Sequence, residues 1–251
     1  MDYWVLLSPA KRINTLEWEL PFLTTKPTFE KRAAALIQEL QSLENKELQS
    51  VMEVNGALLS EVKIMLERWV NKNTPRFPAA AMYNGDAYMR LCARDWDAKT
   101  WQFAQDHLVI LSAVYGALRA TDAVRPYRLM VGSRWKGKTA SKGLYPFWQP
   151  LLSQWMEKNG KGKTLLNLAS QEYAQMLDAC AQPRINIDFK VLKGGKLMTV
   201  SSFSKQARGA MARWIMENRP KTLHEIQAVS VLGFCFDPKF SDKENWIFIK
   251  G

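Results

Sequence analysis

Only two histidines, His107 and His224, and three scattered cysteines, Cys92, Cys180 and Cys235, occur in 251 residues. They show no close His/Cys/carboxylate spacing, which argues against a transition-metal site and leads us to expect no resident metal or cofactor. An odd cysteine count without framework spacing argues against a disulfide scaffold and for a reducing, cytoplasmic compartment. No apolar run approaches the roughly 20 residues that a membrane helix needs, so no membrane association is expected. The opening MDYWVLLSPAK lacks the basic start and cleavage site of a signal peptide. Internal repeats, low-complexity tracts and linker-like segments are missing too, so residues 1–251 read as a single domain.

What the chain does have is an uneven basic charge. The net charge is +11. Residues 119–143 hold seven Lys/Arg against one acid, and residues 189–221 hold eight against one, so the rest of the chain is net −2. Charge segregated in this way points to an anionic partner if folding brings the two blocks together into one groove. A hydrophobic content of 47% is ordinary for a globular protein and excludes a disordered chain.

Periodicity predicts an α+β fold with a mixed central sheet and surrounding helices. Apolar runs at Tyr3–Leu7, Val109–Leu111, Thr164–Leu168 and Asn245–Ile249 read as strands. Helical spacing is clear over Thr28–Leu43, Lys46–Val54, Leu58–Val70, Lys99–Gln105 and Leu144–Lys158. Gly194-Gly195 predicts a hairpin between Ile185–Leu192 and Lys196–Phe203. Ser204 reads as the cap of a helix ending before Pro220. Residues 12–27 read as a loop punctuated by Pro21 and Pro27, and Gly132–Lys142 as a mobile loop.

The richest stretch is LSAVYGALRATDAVRPYRLMVG, Leu111–Gly132. It sets Arg119, Asp122, Arg125, Tyr127 and Arg128 within ten positions. Arginine forks bind phosphate oxygens and aromatic rings stack on sugar or base. Lys11 follows the first strand in Ser8-Pro9-Ala10-Lys11, at the carboxyl end where open sheets place ligands. Lys205 and Arg208 share one helix face, beside Gly209 and Ala212, while Arg213 turns away.

Five motifs occur in order: SPAK at Ser8–Lys11, NGDAY at Asn84–Tyr88, the Leu111–Gly132 stretch, NLASQEY at Asn167–Tyr173, and KQARGAMARW at Lys205–Trp214. Together they resemble the bacterial YaaA family of peroxide stress resistance proteins over nearly the whole chain. The resemblance implies a cytosolic protein of the hydrogen peroxide response that is associated with limiting free iron. It also implies DNA binding through a positively charged cleft and a helix-hairpin-helix-like element, with no enzymatic activity established. One departure stands out: Ala113 occupies a position of the hairpin motif where the family usually has glycine.

Three functions are therefore open. In a DNA binder that does not read sequence, Lys11, Arg119, Arg125, Arg128, Lys205, Arg208 and Arg213 would neutralise phosphates, and Tyr115 and Tyr127 would line the groove wall. In an enzyme acting on a phosphorylated or nucleotide substrate, Asp86, Tyr88, Asp122, Glu172 and Tyr173 would supply acid–base chemistry. Direct iron chelation lacks ligands. Convergence of Lys11, Asp86, Glu172 and Arg208 in a closed pocket would favour the enzyme. A wide groove with the acids held in ion pairs would favour DNA.

Overall fold

The computed structural model describes residues 2–16 and 22–251; Pro21 lies outside them. Strand β1 (Tyr3–Leu7) is followed by helices α1 (Glu30–Gln41), α2 (Asn45–Met52) and α3 (Gly56–Trp69). A short strand β2 (Phe77–Pro78), two single-turn helices α4 (Ala79–Met82) and α5 (Tyr88–Leu91), and α6 (Ala98–His107) lead into β3 (Leu108–Ser112). Strands β4 (Gly116–Arg119) and β5 (Ala123–Val124), helix α7 (Leu144–Asn159) and strand β6 (Thr164–Asn167) come next. Helix α8 (Gln171–Ala174) precedes the ribbon of β7 (Arg184–Lys193) and β8 (Lys196–Met198). Helices α9 (Ser201–Asn218) and α10 (Leu223–Ala228) and strands β9 (Cys235–Phe236) and β10 (Asn245–Lys250) complete the chain.

The result is an α+β domain around a mixed sheet of order β4-β3-β1-β6-β7-β10-β9, with β8 pairing β7. Its middle five strands, β3 to β10 in that order, are mutually parallel, while β4, β8 and β9 are antiparallel additions. The parallel strands need cover on both faces, which is why YWVLL and LVILS are buried at every position and, but for Ser112 at the end of β3, carry apolar or aromatic side chains. From β1 the chain first reaches β3 on one side and later β6 on the other. The carboxyl ends of β1 and β6 thus form the point where strand order reverses, the crevice in which open parallel sheets bind ligands.

Four expectations change. The Leu111–Gly116 segment is a β-hairpin rather than part of two helices: β3 and β4 pair antiparallel from Val109↔Arg119 to Ser112↔Gly116. Gly116 has a left-handed φ of 69° and a Cβ there would lie 2.5 Å from the Trp148 ring. Ala113 is wholly buried and its carbonyl accepts the Trp148 indole N–H at 2.8 Å, so this turn packs on α7 and shows no backbone to a phosphate.

Strand β8 is shorter than predicted because α9 starts at Ser201. Ser204 lies inside that helix, buried, with its hydroxyl donating to the Phe189 carbonyl at 2.8 Å. Helix α1 starts after Phe29 with no side-chain cap, and Thr28 lies outside it. The Gly132–Lys142 loop, finally, is tied down. Gly132 N–H donates to Glu172, Ser133 to the Val51 carbonyl at 3.0 Å, and Thr139 to Glu39, while Trp135 is buried.

His107 gives the fold a pH dependence. Burial pushes its imidazole below the ordinary 6.5, although Nδ1 lies 2.9 Å from the Tyr3 carbonyl. The unfolded chain therefore takes up this proton first, so the contribution is intact above about pH 6.5 and lost as pH falls through the folded value. Urea midpoints are expected to drop on acidification below 6.5, and less steeply in His107→Gln. Parallel slopes for the two proteins would refute this.

Candidate functional site

The crevice at the ends of β1 and β6 holds a cavity of about 350 Å³, the low end of the range for small-molecule sites. Four segments build it. The loop after β1 supplies Ser8, Lys11 and Arg12. The turn before α5 supplies Asp86, with Tyr88 following. The start of α8 supplies Glu172 and Tyr173, and α9 supplies Lys205 and Arg208. Met130, from the end of the Leu111–Gly132 stretch, also lines it.

Close packing fixes these segments against each other. Tyr88 donates to the Ser8 carbonyl at 2.8 Å. The Ser8 hydroxyl donates to Ser170 Oγ at 3.1 Å and accepts the Ser170 N–H at 2.8 Å. Two glycines allow the approach: a Cβ on Gly85 would stand 2.8 Å from Ala10 Cβ, and one on Gly209 would stand 1.8 Å from the Ala87 carbonyl oxygen. Gly209 therefore serves the contact between α9 and the start of α5, not the approach of a ligand to bare backbone.

The charges are partly paired. Lys11 reaches Glu53 at 3.7 Å and Arg12 reaches Asp86 at 3.6 Å, all on side chains with solvent access. Such pairs are weak and open readily to a stronger anion. Arg208 bonds Asp188 through Nη2 at 3.1 Å, while its Nε is buried with no partner. The Nε atoms of Arg125, Arg128 and Arg219 are likewise without partners; only Arg208 among these four lines this cavity, where the donor suits a ligand oxygen. Glu172 accepts the Gly132 N–H at 3.1 Å. Burial holds the Tyr88 and Tyr173 hydroxyls well above the ordinary tyrosine range, so both remain neutral donors.

The structure thus gathers Lys11, Asp86, Tyr88, Glu172, Tyr173, Lys205 and Arg208 on one cavity. It places the other candidates elsewhere. Arg119 donates through Nε at 2.8 Å and through Nη2 to the Gln105 carbonyl, and its guanidinium lies 4.9 Å over the Trp4 ring. Arg125 is buried 5.3 Å over the Trp69 ring. Tyr127 is buried, 2.7 Å from both the Tyr83 and Ser112 hydroxyls, and Tyr115 accepts the Arg125 N–H at 3.1 Å.

Asp122 is buried, accepting Thr25 Oγ1 at 2.7 Å and the Arg119 N–H at 2.8 Å, and burial raises its pKa. It holds a turn together through those two contacts. Arg213 pairs with Glu217 at 2.8 Å on another face of α9. Arg128 is half-buried with an unpartnered Nε, two residues before Met130. Arg12, which reading from sequence missed, was signalled only by its place next to Lys11.

These placements separate stability from binding. Arg119→Ala removes hydrogen bonds from a charged, part-buried donor, worth about 1.5–3 kcal/mol. A lower urea midpoint is expected, and an unchanged midpoint would contradict the structural role given to Arg119.

Among the described residues, no group of three or more His, Cys, Asp or Glu side chains is gathered to hold a metal ion, and no helix is long and apolar enough to cross a membrane.

A family model described as peroxide stress protein YaaA matches residues 3–240. A UPF0246 protein of Caulobacter vibrioides strain NA1000 is 34% identical over 251 residues, covering 98% of both chains. UPF0246 proteins of Francisella tularensis subsp. tularensis strain WY96-3418 and subsp. novicida strain U112 are each 33% identical over 256 residues, covering 98% of this chain and 99% of theirs.

Proposed function

The chain belongs to the family of peroxide stress protein YaaA, and we propose that it serves that response in the cytoplasm by binding DNA, without reading sequence, at the β1/β6 crevice. The observation that carries this reading is the meeting of Lys11 and Arg12 with Lys205 and Arg208, from opposite ends of the chain, on one cavity. Side chains that neutralise phosphates give affinity without sequence information. The cavity is too small for a duplex, so the strand backbone would run across its mouth and present phosphates to the four cations.

We assign the helix-hairpin-helix-like element to α2 and α3. Glu53 in their connection and Gly56 at the start of α3 have left-handed φ values of 53° and 50°, and Glu53 pairs with Lys11. Residues 45–69 carry three basic and four acidic side chains, so backbone N–H groups of the turn would meet phosphate there. Shielding of occupied DNA from iron-generated radicals is the form of protection this reading supplies.

Four neutralised phosphates predict a log–log salt slope of about −3.6. An anisotropy titration on unrelated duplexes should give that slope or steeper, and the same slope on each. Binding indifferent to salt would end the proposal.

The convergence of Lys11, Asp86, Glu172 and Arg208 on one cavity meets the condition set from the sequence for a second reading, an enzyme acting on a phosphorylated or nucleotide substrate. The cations would hold a phosphoryl group and a carboxylate would accept a proton. Product formed from nucleotides and lost in Glu172→Gln would establish it; no turnover across a panel of phosphorylated substrates would remove it.

A further inference from the structure

We infer that the β7–β8 ribbon is a second DNA-binding element, an arm that lies in a groove of the duplex held at the crevice. The inference rests on the DNA reading of that crevice.

Past Val191 the ribbon leaves the body of the protein. Residues 192–203 are exposed except Leu197, which is half-buried. Gly194 and Gly195 turn it with φ values of 56° and 76°, the left-handed pair that matches the twist of a tight hairpin. Between Phe189 and Lys205 there are three lysines, Lys190, Lys193 and Lys196, and no acid. Lys193 and Lys196 stand directly opposite each other across the two strands. Like charges in that position destabilise a hairpin, and a polyanion between them removes the penalty.

The same ribbon exposes apolar side chains. Leu192 is 45% exposed and Met198 51%, and just past the ribbon, in the first turn of α9, Phe203 is 48% exposed. Lysines on an edge strand can simply guard it against pairing with another chain. A guarded edge gains nothing from large exposed apolar groups. Lysine and apolar side chains together on a two-stranded ribbon suit a groove, with ammonium groups on the phosphates and apolar groups against sugar and base edges.

The ribbon is also continuous with the crevice. Asp188 on β7 bonds Arg208, and Lys205 lies half a turn beyond Phe203 on α9. A strand backbone crossing Lys205 and Arg208 therefore continues onto the arm.

The test uses the full chain and a random-sequence duplex in anisotropy titrations across a salt series. The triple variant Lys190→Ala/Lys193→Ala/Lys196→Ala should lower the magnitude of the log–log slope by about 3, one for each lost phosphate contact. Met198→Ala/Phe203→Ala should weaken binding several-fold with the slope unchanged. None of these positions is buried, so circular dichroism should show both variants folded.

If wild-type binding falls with salt and the triple variant keeps the whole slope, the arm is refuted while the crevice reading stands. If wild-type binding is indifferent to salt, both fail. Triple-variant loss of anionic vesicle binding, with duplex affinity intact, would overturn the arm in favour of a membrane surface. A dimer that the same substitutions dissolve, again with duplex affinity intact, would overturn it in favour of pairing between copies along β8.

Discussion

Replacing Arg208 with alanine is expected to weaken DNA binding by about 10- to 100-fold on every duplex sequence alike. The range corresponds to losing one hydrogen-bonded charge contact of about 1.5–3 kcal/mol. The side chain is mostly buried at the cavity wall, already oriented by Asp188, with Nε left for a ligand. An oriented fork loses little freedom on meeting phosphate, so its removal should matter more than that of an exposed lysine. The salt slope should become shallower by about one. Lys at this position keeps the charge and loses the fork, so Arg208→Lys should recover part of the loss. An alanine variant that binds like wild type would remove Arg208 from the interface.

Gly209→Ala should damage stability and binding together. The added Cβ would stand 1.8 Å from the Ala87 carbonyl oxygen and 2.6 Å from its carbon, both backbone atoms that no rotamer change can move aside. Helix α9 must then separate from the start of α5, and these two segments seat Arg208 and Asp86 on the same cavity. Overpacking commonly costs about 1–3 kcal/mol, and a clash with rigid backbone belongs at the upper end. For a chain of this size the melting temperature should fall by roughly 6–12 °C. Binding should weaken as well, since the wall carrying Lys205 and Arg208 shifts. Unchanged melting would show that α9 has slack against α5.

Much of this arrangement was legible in the residues. Five apolar positions in a row at Tyr3–Leu7 leave no polar face for solvent, so a buried strand was the only economical reading. The place of Lys11 just past it, at the carboxyl end, followed from chain order. Asn84-Gly85 and Ser170 marked the turn and the cap that bring Asp86 and Glu172 to the same crevice.

Burial competed with charge, and there the residues misled. Arg119 and Arg125 look like phosphate ligands until Trp4, Trp69 and the Gln105 carbonyl, all distant in the chain, come to meet them. A guanidinium over an aromatic face looks the same in one dimension as one awaiting an anion. The turn after β3 misled for a related reason: the family resemblance implies a helix-hairpin-helix-like element, but this turn joins two strands and its Gly116 makes room for the Trp148 ring. The extent of α9 was misplaced because Ser204 resembles a cap while its hydroxyl is taken by the Phe189 carbonyl.

The central claim is that DNA phosphates lie against Lys11 and Lys205 at the crevice, and chemical protection of lysines tests it most directly. Limited acetylation with and without a bound duplex, read by mass spectrometry, should show Lys11 and Lys205 protected by DNA while Lys161 and Lys243, which line other cavities, react as before. Equal modification of Lys11 and Lys205 in free and DNA-bound protein, under conditions where binding is saturated, would contradict the account.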